Sequence, residues 1–217
     1  MQRHGIKSVN KEDMRVTLEN HGLPLDFLTG ETVVAPDRTE EVRLLLEQLR
    51  QNMKDAPDDA NALNDTAWIL ATTPVESLRN GREAVKLAER AVKLTRGEEA
   101  SMLDTLGVAH AATGAYRRAA EYAQQALDIQ RELGNPRGMI LTTDTLGDVR
   151  YLRGDYAGAR TVYRECLERV VNNHLPEENK AMPFSKLGFT ATAVGDFTEA
   201  RTCFRTALAL AAAARVS

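Results

Sequence analysis

Residues 146–159 read Leu-Gly-Asp-Val-Arg-Tyr-Leu-Arg-Gly-Asp-Tyr-Ala-Gly-Ala, and the skeleton of this stretch occurs three times in the chain. The Leu-Gly pair stands at Leu106-Gly107, Leu146-Gly147 and Leu187-Gly188, at spacings of 40 and 41 residues. Seven residues after each of these glycines comes a second one: Gly114, Gly154 and Gly195. An aromatic follows two residues on (Tyr116, Tyr156, Phe197) and an alanine three beyond it (Ala119, Ala159, Ala200). A small residue then recurs with leucine behind it, as Ala126-Leu127, Cys166-Leu167 and Ala207-Leu208. Positions held in register over three copies identify an internal repeat, which outranks local propensity as a guide to the fold.

The pattern describes a pair of helices. The Leu-Gly pair lies inside the first, helix A, where a residue without Cβ lets a neighbouring helix approach. The second glycine ends helix A at a position that calls for positive φ. The aromatic opens helix B and is expected to pack back across the hairpin, and Ala119, Ala123 and Ala126 fall at i, i+4 and i+7, one helical face. Such a hairpin cannot bury its own apolar face and has to stack on copies of itself. The predicted fold is all-α, a solenoid of stacked antiparallel helix pairs.

These residues resemble the tetratricopeptide repeat, a helix–turn–helix unit with a Leu-Gly…Gly-x-aromatic…Ala signature. The resemblance covers residues 100 to 210 and implies a right-handed superhelix that recognises proteins or peptides without catalysis. The period exceeds the roughly 34 residues of the standard repeat. The surplus is expected after helix B, in residues 131–137 and 171–178. There Gly134 and Asn135-Pro136 are read as stopping one helix, and Leu175-Pro176 as preceding the next. Longer repeats with this connector are similar to those of bacterial peptide-sensing regulators and some eukaryotic scaffold proteins. The alternative function is therefore a peptide sensor that changes superhelical shape to control an effector.

A divergent copy precedes the three. Leu63, Ala67 and Leu70 make a helix A stripe, and Ala84, Ala88 and Ala91 a helix B stripe. Thr66-Ala67 replaces the Leu-Gly pair, the helix B aromatic is missing, and the turn over 72–81 is enlarged. Four pairs are expected, at about 60–95, 100–131, 140–171 and 181–214. Upstream, Leu44, Leu45, Leu46, Leu49 and Met53 suggest a capping helix over 39–56, started by Asp37 or Thr39. Residues 1–38 show no helical period and are read as an irregular, partly disordered segment, with 27–34 a candidate strand or hairpin.

Composition narrows the function. The chain has 217 residues, a net charge of −3, 43% apolar and only 5% aromatic residues, which suits closely stacked helices better than a β-sandwich. That charge balance gives no case for nucleic acid, where clustered Lys and Arg are expected. Residues 1–60 carry the net negative charge and the remainder is nearly neutral. The longest apolar run, 207–214, is far short of the roughly 20 residues that cross a bilayer, so no membrane partner is expected. Two cysteines, Cys166 and Cys203, make no disulfide framework, and no secretory signal is visible, so a reduced cytoplasmic chain is expected.

No catalytic, cofactor or metal constellation emerges. His4, His21, His110 and His174 lie far apart and show no ligand spacing. His110 and both cysteines read as packed side chains. Asp55, Asp58 and Asp59 lack the closing glutamate of a calcium loop and read as a capping-rich turn. No phosphate-cradling glycine loop or nucleophile elbow is present. The sequence reading is a chain that is not an enzyme.

The place left for function is the concave groove. The resemblance assigns it helix A residues around the Leu-Gly pair: Asn64, Trp68 and Ala71; Asp104, Val108 and Ala111; Asp144, Asp148 and Tyr151; Ser185, Phe189 and Thr192. Each set shares one helical face. Aromatics beside carboxylates imply a protein or peptide partner with basic and apolar residues. The carboxylate-clamp subset of the family uses Lys, Asn and Arg here to hold a chaperone tail, whereas the aspartates of this chain would repel a terminal carboxylate. Finally, the alanine- and leucine-rich last helix, with Leu210, lacks a following helix, so self-association or docking of residues 1–38 is expected to cover it.

Overall fold

The computed structural model describes residues 39–214. The hairpin expected at 27–34 and the cap at Asp37 lie outside the described residues. Among the described residues there are nine α-helices and no strand. They are α1 (Thr39–Asp55), α2 (Ala60–Thr72), α3 (Gly81–Leu94), α4 (Ala100–Ala112), α5 (Tyr116–Glu132), α6 (Pro136–Leu152), α7 (Tyr156–Asn172), α8 (Ala181–Ala193) and α9 (Phe197–Ala213). Single 3-10 turns occupy Glu76–Leu78 and Glu177–Lys180. None of these helices is long and apolar enough to cross a membrane.

The fold divides into two compact units, one of them Asp37–Leu175 and the other containing Pro176–Ser217. In the first, α2/α3, α4/α5 and α6/α7 are the hairpins, and α1 packs on α2. The A helices α2, α4 and α6 also touch one another in succession, so their neighbouring faces form one surface. In the second unit α8 and α9 form a hairpin, and the turn Glu177–Lys180 touches both.

Local chemistry sets the helix ends. Asp59 caps α2 by accepting from the amides of Asn61 (2.9 Å) and Ala62 (3.3 Å). Asn80, Asp155 and Asp196 accept from the amides of Glu83, Gly158 and Glu199, three residues into their helices. At the A–B turns Gly114, Gly154 and Gly195 all take φ near +80°, which spares them the Cβ clash of the left-handed region. The alanine stripes of the B helices, Ala84, Ala88, Ala119, Ala123, Ala159 and Ala200, are fully buried.

Two expectations need correction. The extra residues of the long repeats are not all connector. Helices α5, α6 and α7 each have 17 residues, against 13 for α2 and α4, so much of the surplus is helix. α5 ends at Glu132, ahead of Gly134 and Asn135-Pro136 as expected, and Asn135-Pro136 also starts the next helix. The Asn135 side chain accepts from the Gly138 amide at 3.1 Å, and Pro136 takes the first helical position, where its missing N–H costs nothing. The second correction concerns Phe197, expected to pack back across its hairpin but 62% exposed. Tyr156 meets Tyr151 edge-on, with ring centroids 5.3 Å apart. In the α8/α9 pair the residue aligned with Tyr151 is Thr192, too small to meet the Phe197 ring.

Candidate functional site

Within the first unit, successive A helices carry the groove positions in repeat register: Asn64, Asp104 and Asp144 correspond to one another, as do Trp68, Val108 and Asp148. In the second unit the residues that align with them by sequence are Ser185 and Phe189. Burial sorts them. Trp68 is 42% exposed on α2. Asn64, Asp104, Val108, Asp148, Tyr151 and Phe189 are half-buried. Asp144 (7% exposed) and Ser185 (4%) belong to the interior. Phe189 packs edge-on against Phe204 of α9, with centroids 5.3 Å apart, and is thus shared between groove position and hairpin core.

Part of this set converges on a cavity of about 330 Å³ in the first unit. Ala71 of α2, Val108 and Ala111 of α4 and Asp148 of α6 line it, all of them groove positions. The remaining lining includes Thr145, Val149 and Leu152 of α6, Tyr116 at the start of α5, and Arg79 from the α2–α3 turn. Asn64, Trp68, Asp104, Asp144 and Tyr151 do not line it, and Ser185 and Phe189 belong to the other unit.

Helix–helix contact brings a further residue to this place. Tyr163 of α7 is almost completely buried, and its ring lies over Gly147 where a Cβ would collide with it. Its phenol then reaches the groove side of α6 and donates to Asp148 Oδ1 at 2.7 Å. Burial, with Asp148 beside it, pushes the Tyr163 hydroxyl far up, so it stays a donor. The missing Cβ of Gly147 is therefore what lets a helix B residue orient a groove carboxylate.

A second carboxylate, Asp104 of α4, feels the charge of Asp148. Its Oδ2 accepts from the Thr145 hydroxyl at 3.3 Å, and its Oδ1 is enclosed without a hydrogen-bond partner. Burial pushes its carboxyl up to about 7; the Thr145 hydrogen bond pulls it down, and the Asp148 charge adds to the rise. Near neutral pH this column holds an acid poised between neutral and charged forms.

Among the described residues no group of His, Cys, Asp or Glu is placed to hold a metal ion. His110 is buried and stacked on Tyr122 at 5.4 Å, and burial, with Arg118 second, holds its imidazole below the usual value. Cys166 and Cys203 are buried and form no disulfide, and burial pushes the thiol of Cys166 up. At the end of α9, Ala207 is buried while Leu208 and Leu210 are half-buried.

Sequence reading missed Tyr163, Arg79 and Thr145. Tyr163 could have been found: it aligns with Ala88, Ala123 and Phe204, a column that faces the Leu-Gly glycine. Arg79 could not, since its turn has no counterpart in the other copies.

Residues 100–136 and 139–213, together just over half of the chain, match two family models, each described as tetratricopeptide repeat. No curated protein matches the chain. Among solved structures, BtubC (BKLC) from P. vanneervenii is similar, with 22% identity and a TM-score of 0.57 over 83% of this chain and 78% of that one. A Podosopora anserina kinesin light chain with nearly identical TPR-like repeats is 17% identical, with a TM-score of 0.55 over 95% of this chain and 97% of its own. MamA is 14% identical, with a TM-score of 0.52 over 86% of this chain and 99% of its own. At these identities the likeness concerns the fold alone.

Proposed function

The chain belongs to the tetratricopeptide-repeat family of protein-interaction modules, and from that premise we propose that it binds a peptide or partner segment, without catalysis, on the joined faces of α2, α4 and α6. The observation that carries this reading is the cavity where three successive A helices contribute Ala71, Val108 and Asp148 to one lining. Its volume lies at the low end of ligand sites, enough for a few side chains of an extended segment rather than a globular surface. Val108 and Val149 supply an apolar floor, and Asp148 an oriented carboxylate that favours a basic group. Desolvation of the floor contributes most of the affinity, while the carboxylate steers encounter and register.

Val108→Arg tests the proposal by filling the cavity with a long cation. Peptides selected from a displayed random library on the parent protein should bind this variant at least about ten-fold more weakly, a loss of about 1.4 kcal/mol. Equal binding to parent and variant would move the site elsewhere on the molecule.

A further inference from the structure

The cavity lining carries charges of both signs. On α6 stands Asp148, held by the Tyr163 phenol. Opposite in charge, on the same lining, stands Arg79. Its Nε and Nη2 both donate to the Thr73 carbonyl, at 3.0 and 2.9 Å. This grip fixes the guanidinium plane through a neutral acceptor, and Nη1 makes no hydrogen bond to any described residue. The charge is therefore oriented but not neutralised, the state in which a guanidinium best receives a carboxylate.

The turn that carries Arg79 is built for this placement. The other three pairs close A to B with three residues, whereas the first pair uses 73–80. The longer turn is not loose. Thr73 Oγ1 accepts from the Val75 amide at 3.2 Å, and the Asn80 amide donates to the Leu70 carbonyl at 2.9 Å. An eight-residue turn tied at both ends delivers one side chain to the rim of the surface formed by the A helices.

We propose that the cavity selects a peptide segment of mixed charge, with an acidic side chain against Arg79, a basic one against Asp148, and apolar residues over Val108 and Val149. This rests on the groove reading above and narrows it, because charges of both signs on the lining ask for both signs on the ligand.

The test uses the whole chain and a displayed random decapeptide library without free termini. Pools are selected separately on the parent, Arg79→Gln, Arg79→Glu and Asp148→Asn, and each pool is also tested against Val108→Arg. Parent binders should be enriched in acidic, basic and apolar residues together. Arg79→Gln should erase the acidic enrichment alone, and Arg79→Glu should turn it into a second basic one. Asp148→Asn should erase the basic enrichment alone. Parent binders without acidic residues, or acidic enrichment that survives both Arg79 variants, would overturn the mixed-charge proposal while leaving the groove reading intact. A parent pool that binds Val108→Arg undiminished would overturn the groove reading, and with it this proposal.

Discussion

The first and third helix pairs of the larger unit solve one packing problem in two ways. In α2/α3, helix A presents Ala67 and helix B presents Ala84 and Ala88, all in one core cluster. In α6/α7 the corresponding contact is Gly147 under the ring of Tyr163. The α8/α9 pair repeats the second solution with Gly188 and Phe204. Between these lies α4/α5, which has the glycine without the ring. There the α5 backbone itself closes in, and a Cβ at Gly107 would stand 3.0 Å from the Ala119 carbonyl oxygen. Small on small and large on nothing fill similar space, as volume-conserving exchanges do in well-packed cores. Only the aromatic solution carries a polar tip through to the groove, and only Tyr163 has one.

Exchanging residues between aligned positions tests that equivalence, and the largest effect belongs to Tyr163. Tyr163→Ala copies Ala88 and should cost about 3–5 kcal/mol, because Gly147 leaves the cavity unfilled. Gly147→Ala alone should cost about 1–3 kcal/mol by forcing the buried ring aside. The double variant recreates the α2/α3 contact and should be less destabilised than the sum of the single changes. Denaturant midpoints read all three. Strict additivity would show that Gly147 and Tyr163 do not share one contact, and the alignment of the pairs would be wrong.

The Asn64–Asp104 column gives the next effect. Asp104 keeps its proton in the folded chain up to about pH 7, whereas an aspartate in an unfolded chain loses it at about pH 4. Between these values the folded state holds one more proton than the unfolded chain. Stability therefore falls as pH rises from about 4 to about 7, by on the order of 2–4 kcal/mol, and stays reduced above that. Asp104→Asn copies Asn64, keeps an acceptor for the Thr145 hydroxyl and removes the titration. Relative to the parent, it should gain stability above pH 7 and lose that advantage near pH 4. Parallel stability–pH curves for parent and variant would show that Asp104 titrates normally.

The comparison of pairs also explains what was legible beforehand. Positions whose residue type is fixed by backbone geometry, such as Gly114, Gly154 and Gly195, or by tight approach, such as Ala119, Ala159 and Ala200, repeat visibly and yield the fold. Columns that exchange volume across a contact do not repeat in type, so Tyr163 stayed hidden although its register is perfect. The stop at Asn135-Pro136 was legible but the start was not, because the same residues that forbid continuing one helix favour beginning another. Groove positions followed from the repeat register, but register cannot say which of them a neighbouring turn encloses. Arg79 reaches the cavity through a turn of unique length, and repeat logic is silent about anything that occurs once.

The smallest exchange concerns the start of helix B. Asp155 and Asp196 cap α7 and α9, accepting from the amides of Gly158 at 2.9 Å and Glu199 at 3.0 Å. The aligned residue before α5 is Ala115, whose backbone (φ −81, ψ 55) is close to that of Asp155 (φ −81, ψ 69) but which offers no acceptor. The amide of Arg118, three residues on, is the donor that such a cap would engage. Ala115→Asp should therefore stabilise the chain by about 1 kcal/mol, through the cap hydrogen bond and the favourable charge at a helix N-terminus. Ala115→Asn separates the two causes, since it supplies the acceptor without the charge. A similar gain from both variants in denaturant midpoint would assign the effect to the hydrogen bond. A gain from Asp alone, abolished by salt, would assign it to the helix dipole and the neighbouring Arg117 and Arg118. No gain from either would mean that the backbone before α5, despite its angles, does not present the Arg118 amide to a side chain at 115.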